Sequence, residues 1–344
     1  MAIYVRKGYY SSTDQFITAG LMVYPWQQHQ WQNVQQQRQA ERLPHGLLLM
    51  GSQGLGKLDF AQQLTASLLC QRIDKEGHAC GQCAACLLLA AGTHPDVSVL
   101  QAEAPGKAIK VDDVRQLTAR LNLTSQYGGY QVALIVDAHD MNINASNSLL
   151  KTLEEPTGGA VLVLVSSSPQ KLPITVRSRC QAIVFREPAK EQALSWLEEN
   201  AIEPSRASGL LNLAHGAPLQ ALKLQQSEFL EYHQQLITAL LGVAKNQPVV
   251  DQAEQLYKLP LPFMLNGLYD WVQDLIKLMQ CGETAALVHE AQKTDLKRLV
   301  ARCRLQALYE YLDQLGKYKQ LQAFPLNTQL LWEDLLLSWN RLIK

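Results

Sequence analysis

Leu47-Leu48-Leu49-Met50-Gly51-Ser52-Gln53-Gly54-Leu55-Gly56-Lys57-Leu58 joins an apolar run to a glycine-rich turn, and Phe60 to Leu69 beyond it reads as a helix. The spacing Gly51-x4-Gly56-Lys57 is that of a phosphate-binding loop set between a buried strand and a helix. In such a loop the glycines let backbone N–H groups wrap phosphate oxygens. The helix N-terminus adds its positive end, and the lysine reaches the terminal phosphates. Gly51, Gly54, Gly56 and Lys57 are therefore candidate nucleotide-binding residues. The residue after the lysine should carry a hydroxyl for Mg²⁺, and Leu58 has no oxygen to offer.

Downstream of this helix stand Cys70, Cys80, Cys83 and Cys86, in the spacing C-x9-C-x2-C-x2-C. Four thiolates are the set that closes a tetrahedral structural zinc site, and two successive x2 spacings have no rationale in core packing. His78 lies inside the loop and is a possible substitute ligand, though four cysteines make it unnecessary. Val97 to Leu100 reads as a short strand, Val111 to Leu123 as an amphipathic helix, and Tyr130 to Val136 as a strand covered on both faces. Asp137 follows at the carboxyl end of that strand, where a nucleotide-bound Mg²⁺ would be held, and joins the candidate nucleotide site. A helix through Asn147 to Glu155 is stopped by Pro156. Strands Ala160 to Val165 and Ala182 to Phe185 close the pattern.

Alternating strands and helices with polar groups at the strand ends predict a doubly wound α/β domain with a parallel sheet over residues 22–185, carrying the zinc module at 70–86. Beyond Glu187-Pro188 strand-like runs become scarce. Residues 186–228 predict a small helical domain and residues 229–344 an all-α domain, in which the stripe Leu330, Leu331, Trp332, Leu335, Leu336, Leu337 and Trp339 is core or a helix–helix interface. Residues 1–21 read as an upstream extension, with Met22 an alternative start.

Lys+Arg and Asp+Glu both number 31 in 344 residues, so the formal net charge is zero. A protein that grips nucleic acid by itself carries a basic excess, so protein partners are favoured over an independent DNA grip. No run of about eighteen apolar residues is present, and the N-terminus lacks a long apolar signal core, so neither a membrane span nor secretion is expected. Seven cysteines in such a chain fit a reducing cytoplasm.

The phosphate loop, the four-cysteine insertion after it, the helix Leu149-Leu150-Lys151-Thr152-Leu153-Glu154-Glu155-Pro156 and the turn Ser178-Arg179-Cys180 together resemble the clamp-loader branch of the AAA+ ATPases. The resemblance covers residues 24 to about 222 and implies an AAA+ domain, a helical lid and an all-α collar-type domain for oligomerisation. It also implies a role within the DNA polymerase III assembly, loading a sliding clamp onto primed DNA beside a gamma/tau motor subunit and a delta subunit. In this family the arginine of Ser-Arg-Cys reaches the ATP site of a neighbouring subunit, so Arg179 is the candidate arginine finger in trans.

The chain departs from the family's hydrolytic pattern at three places. Aligned from the Leu149–Pro156 helix, the acidic box falls on Val136-Asp137-Ala138-His139, which puts Val136 at the Mg²⁺ aspartate and Asp137 at the catalytic glutamate. An offset of one makes Asp137 the metal ligand and leaves Ala138 where the base belongs. The arginine of the lid's Gly-x-x-Arg falls on Leu219, and Leu58 is the third loss. These losses, with Thr93-His94-Pro95-Asp96 and Tyr24-Pro25-Trp26, point to the family's largely non-hydrolysing stator subunit. ATP and Mg²⁺ are then doubtful in its own pocket. The alternative is a working DNA-stimulated ATPase, which Gly51 to Lys57 supports.

Overall fold

The computed structural model describes residues 23–104, 106–121, 123–127, 129–225, 228–321 and 327–344. The extension read at 1–21 lies outside them. The chain forms two compact units, one ending at Gln192 and the other running from Ala193 to Lys344.

In the first unit α1 (Gln28–Gln39) precedes β1 (Gly46–Met50), which leads through the glycine-rich loop into α2 (Lys57–Leu69). Helix α2 starts at Lys57 itself, ahead of the expected Phe60, because Gly56 takes the left-handed conformation as its N-cap. Then come α3 (Ala84–Ala90), β2 (Val97–Leu100), α4 (Val111–Leu121) and β3 (Gln131–Ile135). The remaining elements are α5 (Ile143–Ser148), α6 (Leu150–Glu154), β4 (Ala160–Ser166), α7 (Ile174–Arg177) and β5 (Gln181–Val184).

The five strands form one parallel sheet in the order β2-β3-β4-β1-β5. Every residue of β4 is buried, as expected of an interior strand covered on both faces. Strand β1 lies between β4 and β5, with Leu48 level with Leu164 and Ala182. The loop after β1 therefore opens beside the carboxyl ends of β4 and β5, on the edge of a doubly wound sheet where ligands bind.

The helix expected over 147–155 is two helices meeting at Leu149. Asn142 caps the first by accepting the Ala145 N–H at 2.8 Å, and the Ser148 hydroxyl donates back to the Ala145 carbonyl at 2.7 Å. That competing bond comes where the helix tightens, with the Leu149 N–H on the Ser146 carbonyl.

Among its described residues the second unit contains helices and their connecting turns, with no strand. Helix α8 (Lys190–Glu199), which begins just before the unit boundary, α9 (Pro204–Leu213) and α10 (Pro218–Gln225) surround a small core that includes Leu197, Leu210, Leu211 and Ala221. A larger core joins α11 (Phe229–Ala244), α12 (Val249–Leu256), α13 (Leu261–Cys281), α14 (Lys293–Val300), α15 (Leu305–Leu321) and α16 (Thr328–Leu342). Trp271, Trp332 and Trp339 are fully buried there, and the Trp339 indole donates to the Leu240 carbonyl at 3.1 Å. Of the C-terminal stripe, Leu331, Trp332, Leu335, Leu336 and Trp339 form the buried face, while Leu330 and Leu337 point outward.

Candidate functional site

Gly51 closes the turn after β1 at φ 153°, and a Cβ there would lie 2.2 Å from the Phe185 carbonyl oxygen. Gly54 and Gly56 have φ of 81° and 77°, which other residues rarely adopt. A Cβ on Gly56 would also meet the Tyr24 ring at 2.5 Å. The segment before α1 covers the loop: Gln27 Nε2 donates to the Leu55 carbonyl at 2.7 Å and the Gly56 carbonyl at 2.9 Å, and Trp26 Nε1 donates to Leu55 at 3.1 Å.

Lys57 is 5% exposed, and its Nζ donates to the Ser52 carbonyl at 2.6 Å. Burial lowers its pKa to about 8, against the opposing charge of Asp137. Asp137 thus belongs to the same electrostatic site as Lys57. It follows β3 in a left-handed conformation, φ 47° and ψ 50°, whereas Val136 before it is buried and offers no ligand. Leu58, second residue of α2, supplies no oxygen beside the lysine.

Two further contacts lie at the loop and beside it. Ser52 Oγ donates to Glu187 Oε1 at 2.7 Å, which sets a carboxylate against the loop and disfavours a phosphate there. His139 Nδ1 lies 3.3 Å from Ser166 Oγ, joining the ends of β3 and β4. Both contacts depend on strand order, and neither has a local sequence signal.

The four cysteine sulfurs all lie within 4.8 Å of one another. Cys70 caps the end of α2, Cys83 caps the start of α3, and Cys86 sits in its first turn. The Cys70 and Cys83 sulfurs are 3.9 Å apart, close to the roughly 3.8 Å edge of a tetrahedron with metal–sulfur bonds of about 2.3 Å. The backbone N–H groups of Cys80 and Arg72 point at Cys70 Sγ at 3.2 and 3.3 Å, as donors do around a ligating thiolate. Backbone N–H groups of Gln82 and Cys83 draw the Cys80 thiol down to about 6, while burial pushes Cys70 and Cys86 up. This donor set can bind a metal ion. His78 is not part of it: its ring stacks on Trp31 at 4.9 Å, and Trp31 Nε1 donates to the Glu76 carbonyl at 2.9 Å, so the loop is docked on α1.

Arg179 lies in the turn between α7 and β5. Its Nη1 donates to the Thr175 carbonyl at 2.9 Å, and its Nη2 lies 2.5 Å from Glu154 Oε1 at the end of α6. The side chain is 36% exposed. Leu219 is the second residue of α10, in the other unit, and supplies no charge.

Residues 26–189 match the family described as DNA polymerase III, delta subunit, and residues 227–341 match the family of its C-terminal part. The DNA polymerase III subunit delta' of Pseudomonas aeruginosa is 36% identical over 330 residues, covering 92% of this chain and 97% of that protein. The chain belongs to the delta' family of bacterial DNA polymerase III. The delta' subunit of Yersinia pestis is 31% identical over 325 residues, covering 92% of this chain and 95% of that protein. That of Escherichia coli is 35% identical over 219 residues, covering 63% and 65%. The DNA polymerase III subunit tau of Bacillus subtilis is 25% identical over 340 residues, with 89% of this chain and 59% of that protein covered. In this chain's loop the lysine is present as Lys57, while Leu58 and Val136 offer no oxygen.

Proposed function

We propose that this delta'-type chain is a largely non-hydrolysing stator of the DNA polymerase III clamp loader. It completes the ATP site of a neighbouring gamma/tau motor subunit with Arg179 and helps load the sliding clamp onto primed DNA. The observation that carries this reading is the pairing of an intact arginine turn with a disarmed phosphate loop. Lys57 is turned onto its own Ser52 carbonyl, Glu187 stands against the loop, and positions 58 and 136 hold no oxygen for Mg²⁺. Residues 22–185 are the AAA+ domain, 186–228 the lid, and 229–344 the collar-type domain through which the chain joins its motor and delta partners in the cytoplasm.

The isolated chain is expected to hydrolyse ATP at no more than background rate, and Lys57→Ala should change nothing. Removal of Mg²⁺ ligands and of the water-activating group each lowers phosphoryl transfer by orders of magnitude. Turnover near one per second, abolished by Lys57→Ala, would replace this reading with the motor reading that Gly51 to Lys57 favours. Loading assays with and without the chain in a reconstituted complex test the wider role: equal loading rates exclude it.

In the same reading the cysteine group holds one structural Zn²⁺ through Cys70, Cys80, Cys83 and Cys86, because four thiolates at tetrahedral spacing select it over harder cations. Protein purified without added metal should contain one zinc per chain, and Cys83→Ser should lose most of it. Chelation should unfold the 70–90 region, since binding energy in such modules is folding energy. Metal analysis of reduced protein that finds no zinc would end the assignment.

A further inference from the structure

Arg179 and Glu154 come from separate turns, and their spacing is set beneath the surface. The residues next to them, Cys180 and Leu153, converge on Gly46 at the start of β1. A Cβ on Gly46 would lie 2.7 Å from Leu153 Cδ2, 3.3 Å from Cys180 Sγ and 3.4 Å from the Arg179 carbonyl oxygen. Both Leu153 and Cys180 pack against the sheet core. The close approach that glycine permits thus anchors the end of α6 and the arginine turn to one strand.

Glu154, 49% exposed, meets Arg179 Nη2 above that anchor, while the Thr175 carbonyl takes Nη1. Exposed ion pairs between free side chains contribute only about 0–1 kcal/mol, largely because two long chains must be ordered. Here the backbone on both sides is already fixed, so the pair's effect is orientation rather than stability. A guanidinium has five N–H donors; the Glu154 and Thr175 contacts use two, which leaves three for an incoming anion.

We infer that Glu154 is the positioning residue for Arg179: it holds the guanidinium in one place at the surface, with donors to spare for a phosphoryl group in a neighbouring subunit. This rests on the role given to Arg179 above. A finger that wanders must be ordered at each turnover, and a small misplacement of a charged group lowers the rate steeply. Glu154 acts through Arg179 and is not itself catalytic.

The test uses the complete reconstituted complex and single-turnover ATP hydrolysis. Glu154→Gln keeps the side chain's shape and removes its charge. It should lower the rate at the neighbouring site by about tenfold. KM for ATP should stay within about twofold, because that site's binding groups lie on the neighbour. Glu154→Asp is one methylene shorter and should behave like Glu154→Gln. In an Arg179→Ala background, Glu154→Gln should lower the rate no further, since the two residues act as one device. A fall of equal size in both backgrounds, or a rate that rises when the carboxylate is removed, would overturn the inference. If Arg179→Ala lowers the rate and Glu154→Gln leaves it unchanged, the finger stands and only its positioning by Glu154 is lost. If Arg179→Ala itself has no effect, both readings fall together.

Discussion

Arg179→Ala in the assembled clamp loader should lower DNA- and clamp-stimulated ATP hydrolysis, with the neighbouring site losing on the order of 10³-fold or more in its chemical step. The phosphoryl group in flight spreads negative charge over its equatorial oxygens, and a planar guanidinium neutralises that charge more in the transition state than in the ground state. Any other ATP site of the complex should continue to turn over, so the steady-state rate of the whole complex should fall less than the single-site rate. A pre-steady-state burst should lose the contribution of one site. Folding, metal content and assembly should be unaffected. The side chain is 36% exposed, and its partner Glu154 at 49% exposure can be hydrated once left alone. Arg179→Lys should rescue poorly, because an ammonium on a flexible stem does not reproduce the fork that Thr175 and Glu154 orient. Wild-type rates of hydrolysis and clamp loading in the Arg179→Ala complex would make this residue an ordinary solvated arginine.

The fold was legible because its signals are local. An apolar run before Gly51, a helix pattern after Lys57 and two more buried runs at 130–136 and 160–165 specify strands and helices through periods that adjacent residues share. The right-handed crossover rule then leaves few sheets that such elements can form. The four cysteines fall within one window of seventeen residues, from 70 to 86, so their convergence needs little long-range folding. What the sequence did not disclose are contacts that exist only once the strand order is known. Glu187 reaches Ser52 across 135 positions because β5 and β1 are neighbours. Glu154 reaches Arg179 because Gly46 lets α6 and the arginine turn share one strand. The break at Leu149 is hidden in the sequence for a different reason: helix propensity sums over the segment, whereas a single serine hydroxyl bonds backwards at the break. The polar cluster buried in the second unit likewise lay unmarked, since an isolated histidine in a helical pattern carries no period.

That cluster should make the second unit sensitive to acid. His233 on α11 places its Nε2 2.9 Å from His289 Nε2, and His289 Nδ1 lies 2.8 Å from the carboxylate of Asp274 on α13. Asp274 is fully buried, and it also accepts the backbone N–H groups of Val288 and His289 at 3.1 and 2.8 Å. Burial alone would raise the Asp274 carboxyl, but these donors bring it below its ordinary value. A carboxylate can only accept, so His289 donates from Nδ1, and only one proton fits between the two facing Nε2 atoms. Burial first, and then the neighbouring His289, lower the pKa of His233 to about 4, with Asp270 opposing weakly. In the unfolded chain the same ring titrates near 6.5. Between these values the unfolded state binds more protons than the native state, so stability is complete above about 6.5 and is lost as pH falls towards 4. The full shift corresponds to roughly 3 kcal/mol. His215 has the opposite sign: its hydrogen bond to Asp270 raises its pKa, so its contribution fades as pH rises, but a ring 58% exposed contributes little. Asp274 begins to lose its contribution only below its unfolded value near 3.9, outside this window. Hydrogen exchange of α11 and α13 in the full chain should therefore accelerate by about two orders of magnitude between pH 6.5 and 4 after correction for intrinsic rates, tracking that roughly 3 kcal/mol. His233→Gln keeps an Nε2 donor towards His289 but cannot titrate, and should flatten this profile while leaving protection near neutral pH within about 1 kcal/mol. Asp274→Ala removes the acceptor of three buried donors and should reduce protection by about 3–5 kcal/mol at neutral pH. An unchanged acid slope in His233→Gln would assign the sensitivity to other groups.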